Sequence, residues 1–276
     1  METLSSFDPP PVAPAVSVAA LRTPVARLLS ETTSALGYSN HITAFVAQIA
    51  TASDAVVALQ LLHQVSTALG AEGAAFISFI PGEGSQASFR GLLACDSKWC
   101  FEYKKHTAFS DDPWLEYASL HADPICASSI VVEDATKQSA MSLALRFGFQ
   151  SVVIVPAPSS VGLSRAGMLC LGASTPGYFE ADGYFTLSTV ARGVAMQLNA
   201  WYIARVREEI ISEAKLNESE LQRLRWERKG LNSKQMANRL AIRAPCVDTR
   251  FQRVNVKLGV PNRRCAAQLA AECGLI

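Results

Sequence analysis

The chain has 276 residues, of which 49% are hydrophobic and 18% charged, with a formal net charge of +1. That length leaves room for two domains with cores of their own, and the composition excludes a disordered or fibrous chain. No run of about 20 apolar residues suggests a membrane helix, and the opening residues Met1 to Ser6 lack the basic-then-apolar pattern of a secretory signal.

Seven cysteines, none in a CxxC pair, read as reduced thiols of a cytoplasmic protein. His41, His63, His106 and His121 do not cluster with them at ligand spacing, so neither a metal nor a cofactor is expected.

Residues 1–37 form an N-terminal extension, opened by the polyproline-like stretch Asp8 to Pro14 and expected to be partly disordered. Helical stretches follow at about Val16 to Leu36 and Asn40 to Leu69, broken near Gly37 and around Thr51 to Ser53; Val56, Leu59, Leu62 and Val65 give the last segment an inner face. Strands are expected at Ala74 to Ile80 and Phe89 to Cys95, joined by a turn at Pro81 to Gly84. A helix around Lys137 to Phe147 precedes strands at Ser151 to Val155 and Gly167 to Leu171, with a Ser- and Gly-rich loop from Pro156 to Arg165. A long helix from Glu180 to Glu213 carries the stripe Leu187, Val190, Val194, Leu198 and Trp201, and its Arg- and Glu-rich end serves as connector. The order predicts an α+β domain at 38–205, an antiparallel sheet with helices on both faces in an α/β/α sandwich, which commonly holds a small ligand between layers. A linker at 206–215 and an all-α domain at 216–276 complete the chain.

The all-α part is a helix-turn-helix. Asn217 as N-cap with Glu220 three residues on makes a capping box, and Gly230 is a left-handed stop. Ser233 opens a second helix lined by Met236, Ala237 and Leu240; Ala241 to Ala244 allow only a tight turn, and Pro245 takes the first position of a third helix. Val247, Phe251, Val254 and Leu258 form its buried stripe. Asp248, Thr249, Gln252 and Arg253 lie opposite, flanked by Arg243, Arg250 and Lys257, side chains suited to base edges and phosphates. Residues 213–276 hold 13 Lys+Arg against 6 Asp+Glu, a net of +7, and the remainder 12 against 18, a net of −6, out of 25 and 24 in the whole chain. A basic module beside an acidic body suits phosphate binding.

Leu216 to Ile276 resembles the DNA-binding domain of LuxR-type transcription regulators, on Glu220, Leu224 and Gly230 at the family's offsets and on Lys257 to Arg263 as its KLGVxNR element. Cys246-Val247 stands where the family usually has Thr-Val, and Arg250 where it has His, which alters the expected operator rather than the fold.

Cys95 to Pro124 resembles the pocket of the acyl-homoserine-lactone receptors of that family, with Trp99, Tyr103 and Asp112-Pro113 at the signature spacing. The resemblance implies that the Trp99 indole bonds a lactone carbonyl, that Asp112 accepts from the ligand amide and that Tyr103 forms an aromatic wall. Cys95 replaces the family's Tyr, Ala127 replaces its Trp, and the glycine after Phe147-Gly148 is absent, so the head-group end is rewired.

The expected function is therefore a ligand-responsive, quorum-sensing type regulator, cytoplasmic and homodimeric, with double-stranded DNA of paired half-sites, a small signal and RNA polymerase as partners and no membrane. The alternative is an orphan regulator that binds a non-lactone signal or acts without ligand. Cys100 and His106 are the nearest approach to a nucleophile and base, but no oxyanion hole or third group accompanies them, so no enzyme is expected. Nor do residues 1–150 show the strand–helix alternation of a phosphoryl-accepting receiver.

Overall fold

The computed structural model describes residues 27–79, 90–95, 112–132, 134, 138, 142, 144–145, 148–158, 165–258, 260, 262–272 and 274–276. They divide into two compact units. One runs to Pro158 and resumes at Ala166–Asn199; the other comprises Arg165 and Ala200–Ile276.

The first unit begins with helices α1 (Leu29–Thr33), α2 (Tyr38–Ala50) and α3 (Ala55–Ala68). Asp54 starts α3 by accepting the N–H groups of Val56 at 2.9 Å and Val57 at 3.0 Å, the side-chain cap that a helix start needs. Leu59, Leu62 and Val65 are buried as expected, whereas Val56 is 47% exposed because it lies in the first turn, beside the cap. The helix expected from Val16 survives among the described residues only as α1, and the turn at Pro81 to Gly84 lies outside them.

Five strands follow: β1 (Gly73–Phe79), β2 (Arg90–Ala94), β3 (Ile125–Cys126), β4 (Ser151–Ala157) and β5 (Ala166–Ala173). They form one sheet in the order β2-β1-β5-β4-β3, every pair antiparallel. β4 continues through Pro156, where the sequence reading ended it. The proline is tolerated because β3 covers only Val153 and Ile154, leaving the end of β4 on an open edge.

Every residue of β1, β4 and β5 is buried, so the sheet is covered on both sides. On one face Ala75, Ile77, Cys170, Met168, Val152 and Ile154 pack with Trp114 and Leu115 of helix α4 (Pro113–Leu120). On the other, Phe76 lies against Gly167, together with Asn199 from the long helix α5 (Tyr184–Ala214). Helices on opposite faces of an antiparallel sheet make the expected α/β/α sandwich. The inner face of α5 is Leu187, Ala191, Val194, Ala195 and Leu198; Val190 is only half-buried, since two alanines let the helix pack closer on the neighbouring stripe.

The second unit carries α6 (Glu218–Arg228), α7 (Ser233–Leu240), α8 (Ala244–Leu258) and α9 (Arg263–Glu272). The Asn217–Glu220 capping box is present, with Glu220 N–H to Asn217 at 2.9 Å and Asn217 N–H to Glu220 at 2.8 Å. Gly230 ends the first helix at φ 78°, where a side chain would be strained. The second helix opens at Ser233 as expected, with its own box of Asn232 and Gln235. Ala241, at φ 53°, turns the chain into α8, where Pro245 is the second residue, one later than expected. Leu224, Met236, Val247, Phe251, Val254, Ala266 and Ala270 form the core.

Candidate functional site

Trp99 and Tyr103 lie outside the described residues. The other three sequence-predicted pocket residues, Cys95, Asp112 and Ala127, are all buried in the first unit. Cys95 and Ala127 belong to the cluster between α4 and the sheet, and Asp112 caps α4 beside it.

That cluster borders a small, partly open cavity lined by Gly73, Ala75, Cys95, Trp114, Phe149, Cys170 and neighbouring residues. The lining is of the mostly apolar kind that small-molecule sites use. Gly73 and Gly172 pair across β1 and β5, and the Phe149 ring sits on them: a Cβ on Gly172 would meet Phe149 at 2.3 Å, one on Gly73 at 2.8 Å. The two glycines make the notch that this ring fills. Sequence reading missed Phe149 because only the pairing of strands far apart in the chain creates the notch.

Asp112 has one oxygen committed and one spare. Its Oδ1 accepts the N–H groups of Trp114 at 2.7 Å and Leu115 at 3.3 Å, capping α4 just ahead of Pro113. Its Oδ2 is buried without a hydrogen-bond partner among the described residues, and so is the indole Nε1 of Trp114. Burial pushes the Asp112 carboxyl up to about 6, against the opposing pull of the two backbone N–H groups. The Cys170 thiol, also buried and near Asp112, is pushed up as well, so it stays protonated. An unpaired buried carboxyl and an unpaired buried indole N–H each cost about 1 to 3 kcal/mol of lost hydrogen bonding. A guest with a matching donor and acceptor recovers that cost.

In the second unit, the face of α8 opposite Val247, Phe251 and Val254 bears Asp248, Thr249, Gln252 and Arg253, all exposed; Arg243 before it is exposed and Arg250 half-buried. Some of these side chains are engaged locally. Asp248 accepts from Ser233 Oγ at 2.7 Å, Thr249 donates to Pro245 O at 3.0 Å, and Lys257 donates to both oxygens of Glu220 at 2.8 and 2.9 Å. Burial raises the Glu220 carboxyl, but the Lys257 and Asn217 bonds outweigh it and hold the group below its ordinary range. The family-like Lys257 and Glu220 thus meet each other, and Arg263 reaches Ser233 Oγ at 2.7 Å and Glu227 at 3.1 Å. Val256, on the same side of α8 as Gln252 and Arg253, is 82% exposed and was not singled out from the sequence.

Of Ala266, Leu269 and Ala270, whose spacing in the sequence suggests a small-residue contact between two copies, the two alanines are fully buried in the unit's own core, where α9 packs on α6, and Leu269 is half-buried. Small residues at helical spacing permit close packing of either kind, and the intrachain partner takes them here. No helix among the described residues is long and apolar enough to cross a membrane.

No family model matches the chain, and no curated protein does. Solved structures do match. SdiA in complex with octanoyl-rac-glycerol is 16% identical, covering 86% of this chain and 95% of that one, with a TM-score of 0.65. Escherichia coli SdiA in another structure is 17% identical, covering 86% and 98%, also at 0.65. CepR2 of Burkholderia cenocepacia, described as an N-acylhomoserine lactone dependent LuxR family transcription factor, is 15% identical over 60% of this chain and 98% of that one, at 0.50. At these identities the likeness is one of fold: this chain has the fold of a LuxR-type regulator.

Proposed function

We propose that the chain is a quorum-sensing type transcription regulator, whose first unit binds a small acyl signal and whose second unit binds double-stranded DNA as part of a homodimer. The observation that carries the reading is the spare oxygen of Asp112, buried without a partner among the described residues at the cap of α4, whose Trp114 lines an apolar cavity, in a fold shared with SdiA and CepR2. Those two are described with an acyl glycerol and as acyl-homoserine-lactone dependent; both ligands join a polar head to an apolar chain. Asp112 takes a donor from the head, Cys95 and Ala127 bound the space around it, and Trp99 and Tyr103 complete the wall by the family resemblance. In the second unit, Arg243, Arg250 and Arg253 hold phosphates, while Gln252 and Thr249 reach base edges. Val256 supplies an apolar contact of the kind a thymine methyl accepts.

Thermal shift of the purified chain against N-acyl-homoserine lactones of four to twelve acyl carbons, with gel shift on a two-fold repeated site, tests both halves. A flat response to every chain length removes the lactone reading, and a single unrepeated half-site bound by a monomer removes the dimeric one.

A further inference from the structure

The buried donor that the sequence reading passed over is Trp114. Its side chain is 6% exposed, belongs to the cluster between α4 and the sheet and lines the cavity, and its Nε1 has no partner among the described residues. A buried indole N–H ordinarily finds an acceptor. This one is held in place by what surrounds it: the Trp114 backbone N–H is fixed by Asp112 Oδ1, and Pro113 sets the first turn of α4. Ala118, Ala127 and Ala144 of the same cluster are too short to reach it with anything polar. The thiols of Cys95 and Cys170 at the cavity are weak hydrogen-bonding groups and poor substitutes for a carbonyl oxygen.

We infer that Trp114 is a ligand-binding residue whose indole N–H donates to a carbonyl oxygen of the signal. The inference rests on the proposed ligand-binding role of the first unit and narrows its chemistry. Asp112 Oδ2 and Trp114 Nε1 are two residues apart on the start of one helix, one an acceptor and the other a donor. A head group that satisfies both carries a carbonyl oxygen close to an N–H or O–H, as an N-acyl amide or an acyl ester of a polyol does. A free hydrocarbon leaves both unpaired, and an amine or alcohol without a carbonyl leaves the indole unpaired.

Indole ¹H–¹⁵N spectra of the full chain test this directly, because only four tryptophans are present. The Trp114 signal is assigned by its loss in W114F or, should that variant not fold, by elimination with W99F, W201F and W226F. The probes are N-octanoyl-homoserine lactone and octanoyl glycerol, with binding established separately by thermal shift. The expected result is a downfield move of the Trp114 indole proton at saturation, and binding about tenfold weaker in W114F, the loss of one hydrogen bond. A probe that raises the melting temperature yet leaves the Trp114 signal in place overturns the inference and spares the ligand-binding reading. If neither probe shifts the melting temperature, the acyl-ligand reading itself fails, and the inference with it.

Discussion

Lys257 near the end of α8 and Glu220 in the first turn of α6 are joined by two hydrogen bonds, at 2.8 and 2.9 Å, with Glu220 nearly buried and Lys257 about one-third exposed. Glu220 also accepts the N–H of Asn217, so one carboxylate caps one helix and anchors another. That geometry separates Lys257 from the arginines with which the sequence groups it. Lys257→Ala is expected to destabilise the second unit by about 1 to 2 kcal/mol, since the lysine is partly solvated, and so to lower its melting temperature with little change in the salt dependence of DNA binding. Glu220→Gln loses the same ion pair but keeps an acceptor for the box, as Gln235 does for Asn232. Because the Glu220 carboxyl lies below its ordinary range, its stabilisation is present above the unfolded value and lost as pH falls through the folded one. Acid melting curves of wild type and Glu220→Gln should therefore converge at low pH, and parallel curves would show that the pair contributes nothing.

Arg253 is exposed on the face of α8 opposite its buried stripe, with no ion pair among the described residues, and Gln252 lies next to it. Arg253→Ala should weaken binding to all sequences alike and reduce the slope of log affinity against log salt by about 1, as one lost phosphate contact does. Gln252→Ala should instead relax the preference at one base pair by about 1 to 3 kcal/mol. A salt slope unchanged in Arg253→Ala takes that residue off the interface.

The second unit was the more legible part of the chain. Its helix starts are written in local chemistry, Asn217 with Glu220 and Gly230 as a left-handed stop, and such signals act within three or four residues. The sheet was legible as runs of apolar residues, but its ends were not: Pro156 reads as a terminator, and only the shortness of β3 lets it stay in a strand. In the candidate site, a spacing pattern points to Asp112, whose spare oxygen is buried without a partner among the described residues. No spacing pattern points to Trp114, because whether an indole N–H has a partner is decided by residues far away in sequence. The same holds for Ala266 and Ala270, whose spacing does not say whose helix they meet.

The notch under Phe149 makes a packing prediction. A Cβ on Gly172 would lie 2.3 Å from the ring, far inside contact distance, so Gly172→Ala must push Phe149 aside. The expected cost is about 1 to 3 kcal/mol, the usual price of overpacking, and most of it should vanish in a Phe149→Ala background. A double-mutant cycle on melting temperature measures that coupling. Additive effects would mean that the ring does not occupy the notch.

Asp112 gives the pH prediction. Its carboxyl is raised from 3.8 to about 6 by burial, so the folded state holds its proton more tightly than the unfolded state does. The associated stability is complete below about 3.8 and is lost as pH rises through about 6; above that the ligand-free protein carries a buried, half-satisfied carboxylate. A signal that donates an N–H to Oδ2 favours the ionised form and pulls the carboxyl down, releasing a proton on binding. Affinity is therefore expected to rise between pH 5 and pH 6.5, approaching tenfold per pH unit where the proton is fully held, and to level off above. Asp112→Asn should abolish that slope while keeping an acceptor, losing the charge-assisted part of the bond only. Asp112→Ala should lose more, since it removes both the acceptor for the signal and the cap of α4, the latter worth about 1 kcal/mol even without ligand. Calorimetry with N-octanoyl-homoserine lactone at four pH values reads all three, and an affinity equally flat with pH in wild type and Asp112→Asn would remove Asp112 from the head-group contact.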